Sequence, residues 1–242
     1  MQEVVHRPWP LPVGRWVMAQ EWHDLLFAHW PVSPGILRAY VPPGLEIDMY
    51  QGQAWLAVVP FLMSGVRLRY LPAIPGTSEF PELNLRTYVK RGGKPGVWFF
   101  SLDAANSLAV AVARAWFHLP YFRARMRCEK DSEWIEYESR RMHEGAADVL
   151  FRGRYRGVGN AFRPKPGSLE HFLVERYCLY SVTPAPRLLL GEIHHPSWEL
   201  QTAEAEITDN SLGNQVSVPL LGKPLLHFSR RQEVVAWAPQ PV

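Results

Sequence analysis

The feature that most constrains the fold is a series of short segments in which apolar residues recur at every second position, separated by turn sequences. Side chains alternate between the two faces of a strand, so this period of two predicts β-strands. Many short strands predict a large antiparallel sheet, closed into a barrel or folded as a sandwich. The predicted strands are Trp55–Phe61, Leu83–Val89, Gly96–Leu102, Tyr121–Cys128, Glu133–Arg140, Asp148–Tyr155, Tyr177–Thr183, Arg187–Ile193, Ser197–Ile207 and His227–Trp237.

Four segments are predicted as helices that pack on the outside or at the ends of this sheet. They are His23–Trp30, Ser33–Tyr40, Ala105–Phe117 and Ser168–Glu175. Serine is a good N-cap residue, and Ser33 and Ser168 are expected to begin their helices in that role. The third helix carries an apolar stripe that is predicted to lie on the core, formed by Leu108, Ala111, Val112 and Ala115.

Composition excludes several classes of protein. The 242 residues contain no internal repeat and no linker, so we expect one domain over residues 1–242, with loops at Leu71–Pro81 and Arg163–Ser168. Two cysteines are too few for a disulfide framework. No apolar run is long enough for a transmembrane helix, and no secretory signal is visible, so we expect a cytoplasmic protein without membrane attachment.

The basic residues are mostly arginine, since the chain has 21 Arg and 5 Lys. The net charge is only +3, because 23 Asp and Glu residues offset most of the positive charge. Arginines alternate in two predicted strands, over 123–127 and over 152–156. Such a face either contacts phosphate or is simply solvated, and the modest net charge favours the solvated interpretation. We therefore expect no nucleic-acid partner.

The segment FPELNLRTYV places Glu82, Asn84 and Arg86 on one face of a predicted strand. The Lys90–Pro95 hairpin would bring Asp103 of the next strand towards them. The carboxylates suit acid or base chemistry, and the guanidinium suits binding of a carboxylate through two parallel hydrogen bonds. An ordinary solvated face with cross-strand pairs fits the same pattern, and alternation alone leaves both interpretations open.

Other candidate sites are weaker. Arg114 lies in the middle of a predicted helix, where an exposed or ion-paired role competes with a ligand contact. The pair Glu175 and Arg176 either closes one end of the barrel or reaches its cavity. His194 and His195 would point to opposite faces of a strand, so no metal site is predicted. Nucleotide-binding and nucleophile motifs are missing, and no cofactor is expected.

Six segments between Trp22 and Leu200 resemble the YqjF-like family of bacterial proteins, a domain of unknown function. They are HDLLFAHWPV, FPELNLRTYV, PGVWFFSLDA, ARAWFHLPYF, ERYCLY and HHPSWEL. That family is similar to the acetoacetate decarboxylase superfamily. The resemblance implies an α+β fold with a cone-shaped antiparallel β-barrel, a central cavity, a few flanking helices and a homo-oligomer.

The same resemblance puts decarboxylation in doubt. Acetoacetate decarboxylases use a lysine Schiff base. The comparable Pro-Lys-Lys step is replaced here by Pro120, Tyr121 and Phe122, although Arg114 matches a family arginine. All five lysines occupy turn sequences and are expected to be exposed and protonated. We therefore predict that no Schiff base forms.

These observations predict a protein that binds a small organic acid in a barrel cavity, with or without turnover. Arg86 or Arg114 would hold the carboxylate, Glu82 or Asp103 would move protons, and the further lining residues would be Asn84 and Tyr121. One alternative is a non-enzymatic ligand-binding or regulatory module, and another is a filled barrel that serves only oligomer assembly. A cavity of about 300 Å³ or more with converging polar groups would favour a ligand.

Overall fold

The computed structural model describes residues 3–73 and 78–242, so residues 74–77 of the predicted loop Leu71–Pro81 lie outside the described part. The described residues form thirteen strands. They are β1 Met18–Val32, β2 Glu46–Ile47, β3 Ala54–Leu68, β4 Phe80–Arg91, β5 Lys94–Ala104, β6 Tyr121–Asp131, β7 Trp134–Arg141, β8 Leu150–Phe162, β9 Cys178–Val182, β10 Leu188–His194, β11 Leu200–Asn210, β12 Leu225–Ala236 and β13 Gln240–Pro241.

The helices of the described residues are short. They are α1 Pro34–Arg38, α2 Ser107–Val112, which continues as a π-helical turn at Ala113–Phe117, α3 Leu169–Val174, and a 3-10 turn at Leu212–Val216. None of them is long and apolar enough to cross a membrane. Three of the four predicted helices are confirmed in position, because α1, α2 and α3 lie within the predicted segments.

All thirteen strands belong to one sheet, in the order β13-β10-β9-β5-β6-β7-β8-β11-β12-β1-β3-β4-β2. Most neighbours are antiparallel, while β5 runs parallel to both β6 and β9. Two further pairings, β4 with β5 and β10 with β12, curl the sheet back on itself into a cone-like arrangement. The predicted class, a mostly antiparallel sheet with a few flanking helices, is confirmed.

Strands β1, β3 and β4 form a shared wall that is buried on both faces. On one face, Leu26, Leu56 and Leu85 belong to the first hydrophobic core. On the other face, Phe27 and Val59 belong to a second core. This double burial explains the apolar runs at residues 25–30 of β1 and 54–61 of β3, because both faces of these stretches pack in a core. The expected central position of the WLAVVPF strand is confirmed.

The helix predicted at His23–Trp30 is wrong, because this segment lies inside β1. A run that is apolar on both faces cannot be assigned to helix or strand by periodicity alone. The strand also carries a one-residue bulge against β3 between His23 and Ala28. Asp24 within the bulge has a positive φ of 49°, which further disturbs the alternation.

The stripe predicted to anchor the third helix faces the solvent instead. Leu108 is 59% exposed and Val112 is 44% exposed, whereas Val110 and Phe117 are buried. The segment has small apolar residues on every side, so its periodicity does not decide which side packs.

The alternating arginines of β8 lie on a solvated face and are paired with glutamates. Arg154 contacts Glu206 at 2.9 Å on β11, and Arg156 contacts Glu204 at the same distance. Exposed pairs of this kind each contribute about 0–1 kcal/mol. The favoured interpretation of this face, a solvated strand surface, agrees with the structure.

Truncation within the shared wall should be far more costly than truncation on α2. We expect Leu56→Ala to lower the free energy of unfolding by about 2–5 kcal/mol, because its side chain is fully buried. Leu108→Ala should change it by about 0.5 kcal/mol or less. Urea denaturation of both variants checks this, and equal losses would contradict the assignment of the buried faces.

Candidate functional site

A cavity of about 160 Å³ lies between the shared wall and the elements α2, β9 and β10. Its lining is mostly apolar and aromatic, with Phe27, Phe61, Phe99 and Trp237 among the contributing side chains. The charged or polar residues that line it include Gln20, Glu82, Asn84, Arg86, Arg176, Glu192 and His195. No lysine is among the described residues that line it.

Strand β4 supplies three of the polar groups, because every second residue of this stretch faces the cavity. Glu82, Asn84 and Arg86 line it, whereas Leu83 and Leu85 point into the first core. Glu82 and Asn84 are each only 3% exposed, so their faces do not meet bulk water.

Glu82 is a strongly perturbed acid of the cavity. Its carboxyl accepts a hydrogen bond of 2.7 Å from the hydroxyl of Tyr121, which begins β6. Burial is the main cause that raises the pKa of Glu82 from 4.5 to about 8; the Tyr121 hydrogen bond opposes the rise and the charge of Asp103 adds to it. At neutral pH, Glu82 is therefore mostly a protonated acid that can donate a hydrogen bond as well as accept one.

Arg86 and Asn84 present polar atoms without partners. Arg86 Nε and Asn84 Oδ1 are both buried, and neither has a hydrogen-bond partner among the described residues. The guanidinium of Arg86 lies over the ring of Phe27 at 5.5 Å. Buried polar atoms are nearly always hydrogen-bonded, so these two groups are suited to a bound molecule or ordered water.

The expectation that Asp103 faces the same cavity is wrong. A bulge in β5 pairs Arg86 with Phe99 but Leu85 with Ser101, which reverses the faces beyond this point. Asp103 therefore lies on the side of the first core, and Arg141 holds its carboxylate by hydrogen bonds of 2.7 and 3.0 Å.

Arg114 also lies outside the cavity. It is exposed on the π-helical turn and donates a hydrogen bond of 2.6 Å to the backbone carbonyl of Tyr121. Of its two expected roles, the structure shows the exposed helix residue. Its contact nevertheless fixes the chain at Tyr121, whose side chain holds Glu82.

The polar residues that line the cavity include Arg176 and His195, which the sequence did not identify as site residues. Arg176 is buried, pairs with Asp48 at 2.6 Å and lies over the ring of Phe172 at 4.2 Å. His195 lies close to it, with Nε2 at 3.2 Å from the Arg176 carbonyl oxygen, and burial lowers the pKa of His195. The charged pair after α3 was the available signal, and of its two residues Arg176 reaches the cavity.

An ion pair lies beside the cavity, where Glu192 lines it. Lys94 contacts the carboxylate of Glu192, which also accepts a 2.8 Å hydrogen bond from Trp9 Nε1. The Lys94 side chain is only 30% exposed, so the expectation of full exposure is wrong for this lysine. The ammonium group of Lys94 also lies 4.7 Å from the ring centre of Trp9, which covers part of this side chain.

The described residues contain no group of three or more His, Cys, Asp or Glu side chains that could hold a metal ion. His195 lines the cavity, while His194 stacks on His6 at 5.6 Å.

Solved structures of acetoacetate-decarboxylase-like proteins share this fold. The enduracididine biosynthesis enzyme MppR, solved with pyruvate, superposes with a TM-score of 0.64 at 13% identity, covering 95% of this chain and 91% of that chain. Acetoacetate decarboxylase from Legionella pneumophila gives a TM-score of 0.61 at 13% identity, covering 98% and 93%. The fold thus defines the class as acetoacetate-decarboxylase-like.

By its sequence, the chain belongs to the DUF2071 family of uncharacterized conserved proteins, which it matches over residues 19–233. It is 49% identical over 228 residues to the uncharacterized protein YqjF of Bacillus subtilis (strain 168), covering 94% of this chain and 93% of that protein. The YqjF-like resemblance predicted from the six segments is confirmed.

The buried acid should leave a signature in the pH dependence of stability. Because the pKa of Glu82 is about 8 in the folded protein and 4.5 ordinarily, the folded state keeps a proton that the unfolded chain releases between these values. The free energy of unfolding should therefore fall as pH rises from about 5 to 8, by up to about 1.4 kcal/mol per pH unit. Glu82→Gln should lack this contribution. Urea denaturation across this range measures it, and parallel curves for the two proteins would contradict the assignment.

Proposed function

We propose that the protein binds a small organic acid in the cavity and that Glu82 exchanges a proton with the bound molecule. The observation that carries the proposal is the position of a buried, mostly protonated carboxyl on the same strand face as a half-buried arginine whose Nε is buried without a partner among the described residues. Glu82 and Arg86 are four residues apart on β4. Side chains alternate between the two faces of a strand, so these two project to the same face.

Arg86 is the group proposed to hold the carboxylate of the ligand. Its Nε lacks a partner among the described residues, and guanidinium N–H groups bind carboxylates through short, charge-assisted hydrogen bonds. Arg176 is less available, because Asp48 already pairs with it. Asn84 contributes an amide beside Arg86 that can orient the ligand.

Glu82 and Tyr121 form the proposed proton-transfer pair. A pKa of about 8 leaves both protonation states of Glu82 populated near neutral pH, which suits a general acid or base. As the acid, Glu82 would donate to a carbonyl oxygen of the ligand. As the base, the ionised carboxylate of Glu82, stabilised by the hydrogen bond from Tyr121, would accept a proton from the carbon next to that carbonyl.

The size and lining of the cavity restrict the ligand. The volume of about 160 Å³ is below the size of about 300 Å³ that by itself would favour a ligand. It compares with an apolar cavity of about 150 Å³ that holds benzene. The aromatic walls favour an acid with a short apolar body. The solved relative MppR was crystallised with pyruvate, a small 2-oxo acid, which supports this class.

We propose chemistry without a cofactor and without a lysine Schiff base. Lys94 contacts the cavity residue Glu192, and its side chain is already engaged in that ion pair. We also expect the protein to act in the cytoplasm. As the family resemblance implies, we expect it to be a homo-oligomer.

A non-enzymatic ligand-binding or regulatory module is the alternative. It keeps Arg86 as the carboxylate anchor and gives Glu82 only a hydrogen-bonding role. The small, largely apolar cavity favours this alternative as a simple receptor for an acid.

Hydrogen–deuterium exchange separates the two functions. With pyruvate in D₂O, we expect the protein to accelerate loss of the methyl ¹H NMR signal, and Glu82→Gln to abolish the acceleration. Glu136→Gln, which changes an exposed carboxylate, is the matched control and should behave as the wild type. Pyruvate binding without accelerated exchange would favour the binding module.

Arg86→Ala should weaken binding of pyruvate or benzoate about tenfold or more, because it removes a charge-assisted hydrogen bond worth about 1.5–3 kcal/mol. Calorimetric titration measures the affinity, with Arg125→Ala as an exposed control. Equal affinities in the wild type and the Arg86 variant would reject the carboxylate anchor.

The proposed lack of a Schiff base has a direct test. After incubation with pyruvate and cyanoborohydride, the intact mass of the protein should be unchanged. A covalent adduct on the wild type that disappears in Lys94→Arg would overturn this part of the proposal and assign Lys94 as a nucleophile.

A further inference from the structure

Three arginines gather around two aromatic rings outside the cavity, where β1 begins and β3 ends. The guanidinium of Arg69 lies 4.5 Å from the ring centre of Trp16 and 5.1 Å from that of Tyr70. Arg67 lies 5.6 Å from the same Trp16 ring, and Arg15 donates a hydrogen bond to the Tyr70 hydroxyl. We call these five residues the arginine cluster.

The backbone holds this cluster in place. The N–H of Arg69 donates a hydrogen bond of 2.8 Å to the carbonyl of Val17, which ties the end of β3 to the start of β1. Trp16 packs against a small apolar group that includes Trp237, and Trp237 Nε1 donates to the Gly14 carbonyl at 3.2 Å. Trp16 is therefore held against the end of the sheet, and Tyr70 lies in the turn that follows β3.

The positive charge of the cluster is not neutralised. Among the described residues, no carboxylate lies within 4.0 Å of Arg15, Arg67 or Arg69. By contrast, Arg231 on the neighbouring strand contacts Glu21 at 2.8 Å. The Nε of Arg69 is buried and has no hydrogen-bond partner in the described part of the chain. Like charges held together without a counterion leave a local excess of positive potential.

Stacking determines how these guanidinium groups can bind. A guanidinium that lies on an aromatic face keeps its N–H edges free, and those edges match the oxygen atoms of a phosphate. The Tyr70 side chain is 72% exposed, so its hydroxyl adds a donor beside them. Hydrogen bonds from Arg69 and Arg15 also hold the pKa of the Tyr70 phenol below its ordinary value.

We propose that the arginine cluster is a binding site for a phosphate group. The site is separate from the cavity and does not depend on the function proposed for it. A soluble phosphate compound and the headgroup of an anionic phospholipid share this chemistry, and the experiment distinguishes these two sources.

Calorimetric titration with inorganic pyrophosphate at low salt tests the soluble source. We expect Arg69→Gln and Arg67→Gln each to weaken pyrophosphate binding at least tenfold. Added salt should weaken pyrophosphate binding to the wild type, because salt screens the attraction between exposed charges. Arg125→Gln removes an exposed arginine on β6 and should leave the affinity unchanged. Because Arg67 is exposed, its variant keeps the test valid if Arg69→Gln does not fold.

Sedimentation with vesicles tests the lipid source, by comparing phosphatidylcholine alone with phosphatidylcholine that contains phosphatidylglycerol. Binding only to the anionic vesicles, lost in the Arg67 and Arg69 variants, supports a headgroup site. Pyrophosphate binding lost in the same variants supports a soluble ligand. The proposal is overturned if neither probe binds, or if both variants bind as tightly as the wild type. Pyruvate affinity at the cavity should be unchanged in these variants.

Discussion

The burial of β1, β3 and β4 on both faces is the constraint on which the rest of the structure depends. One face of this wall completes a filled core, and the other encloses the cavity. Polar residues in the middle of this wall, such as Glu82 and Asn84, are therefore removed from bulk water. Glu82 and Asn84 are each only 3% exposed. On the same strand, Leu83 and Leu85 point to the other face and are buried in the first core. A solvated strand with the same sequence would have no perturbed acid.

The energetics of the cavity follow from this wall. A buried carboxylate without a cation is costly, so Glu82 keeps its proton and Tyr121 supplies a hydrogen bond. Asp103 illustrates the opposite solution, because Arg141 neutralises it in the core. Asp48 does the same for Arg176. Arg86 is the cavity guanidinium with a buried N–H that lacks a partner among the described residues, and this difference singles it out as the ligand anchor.

Parts of the site were predictable because they depend on local alternation. The polar face of β4 and the following hairpin are visible in FPELNLRTYV and the turn after it. The position of Asp103 was not predictable, since one bulged residue near Phe100 reverses the face of every residue beyond it. The helix assigned to His23–Trp30 failed for a related reason, because double burial removes the alternation that distinguishes a strand.

The sequence by itself determined the strand-rich α+β class, the YqjF-like family and the strand face that carries Glu82, Asn84 and Arg86. These features are local: a period of two, a turn, or a run of motifs in order. Only the tertiary structure decided that this face meets an enclosed cavity, that Arg176 and His195 join it, and that Arg114 and Asp103 do not. Those outcomes depend on strand register, bulges and long-range ion pairs, which bring together residues that are far apart in the chain.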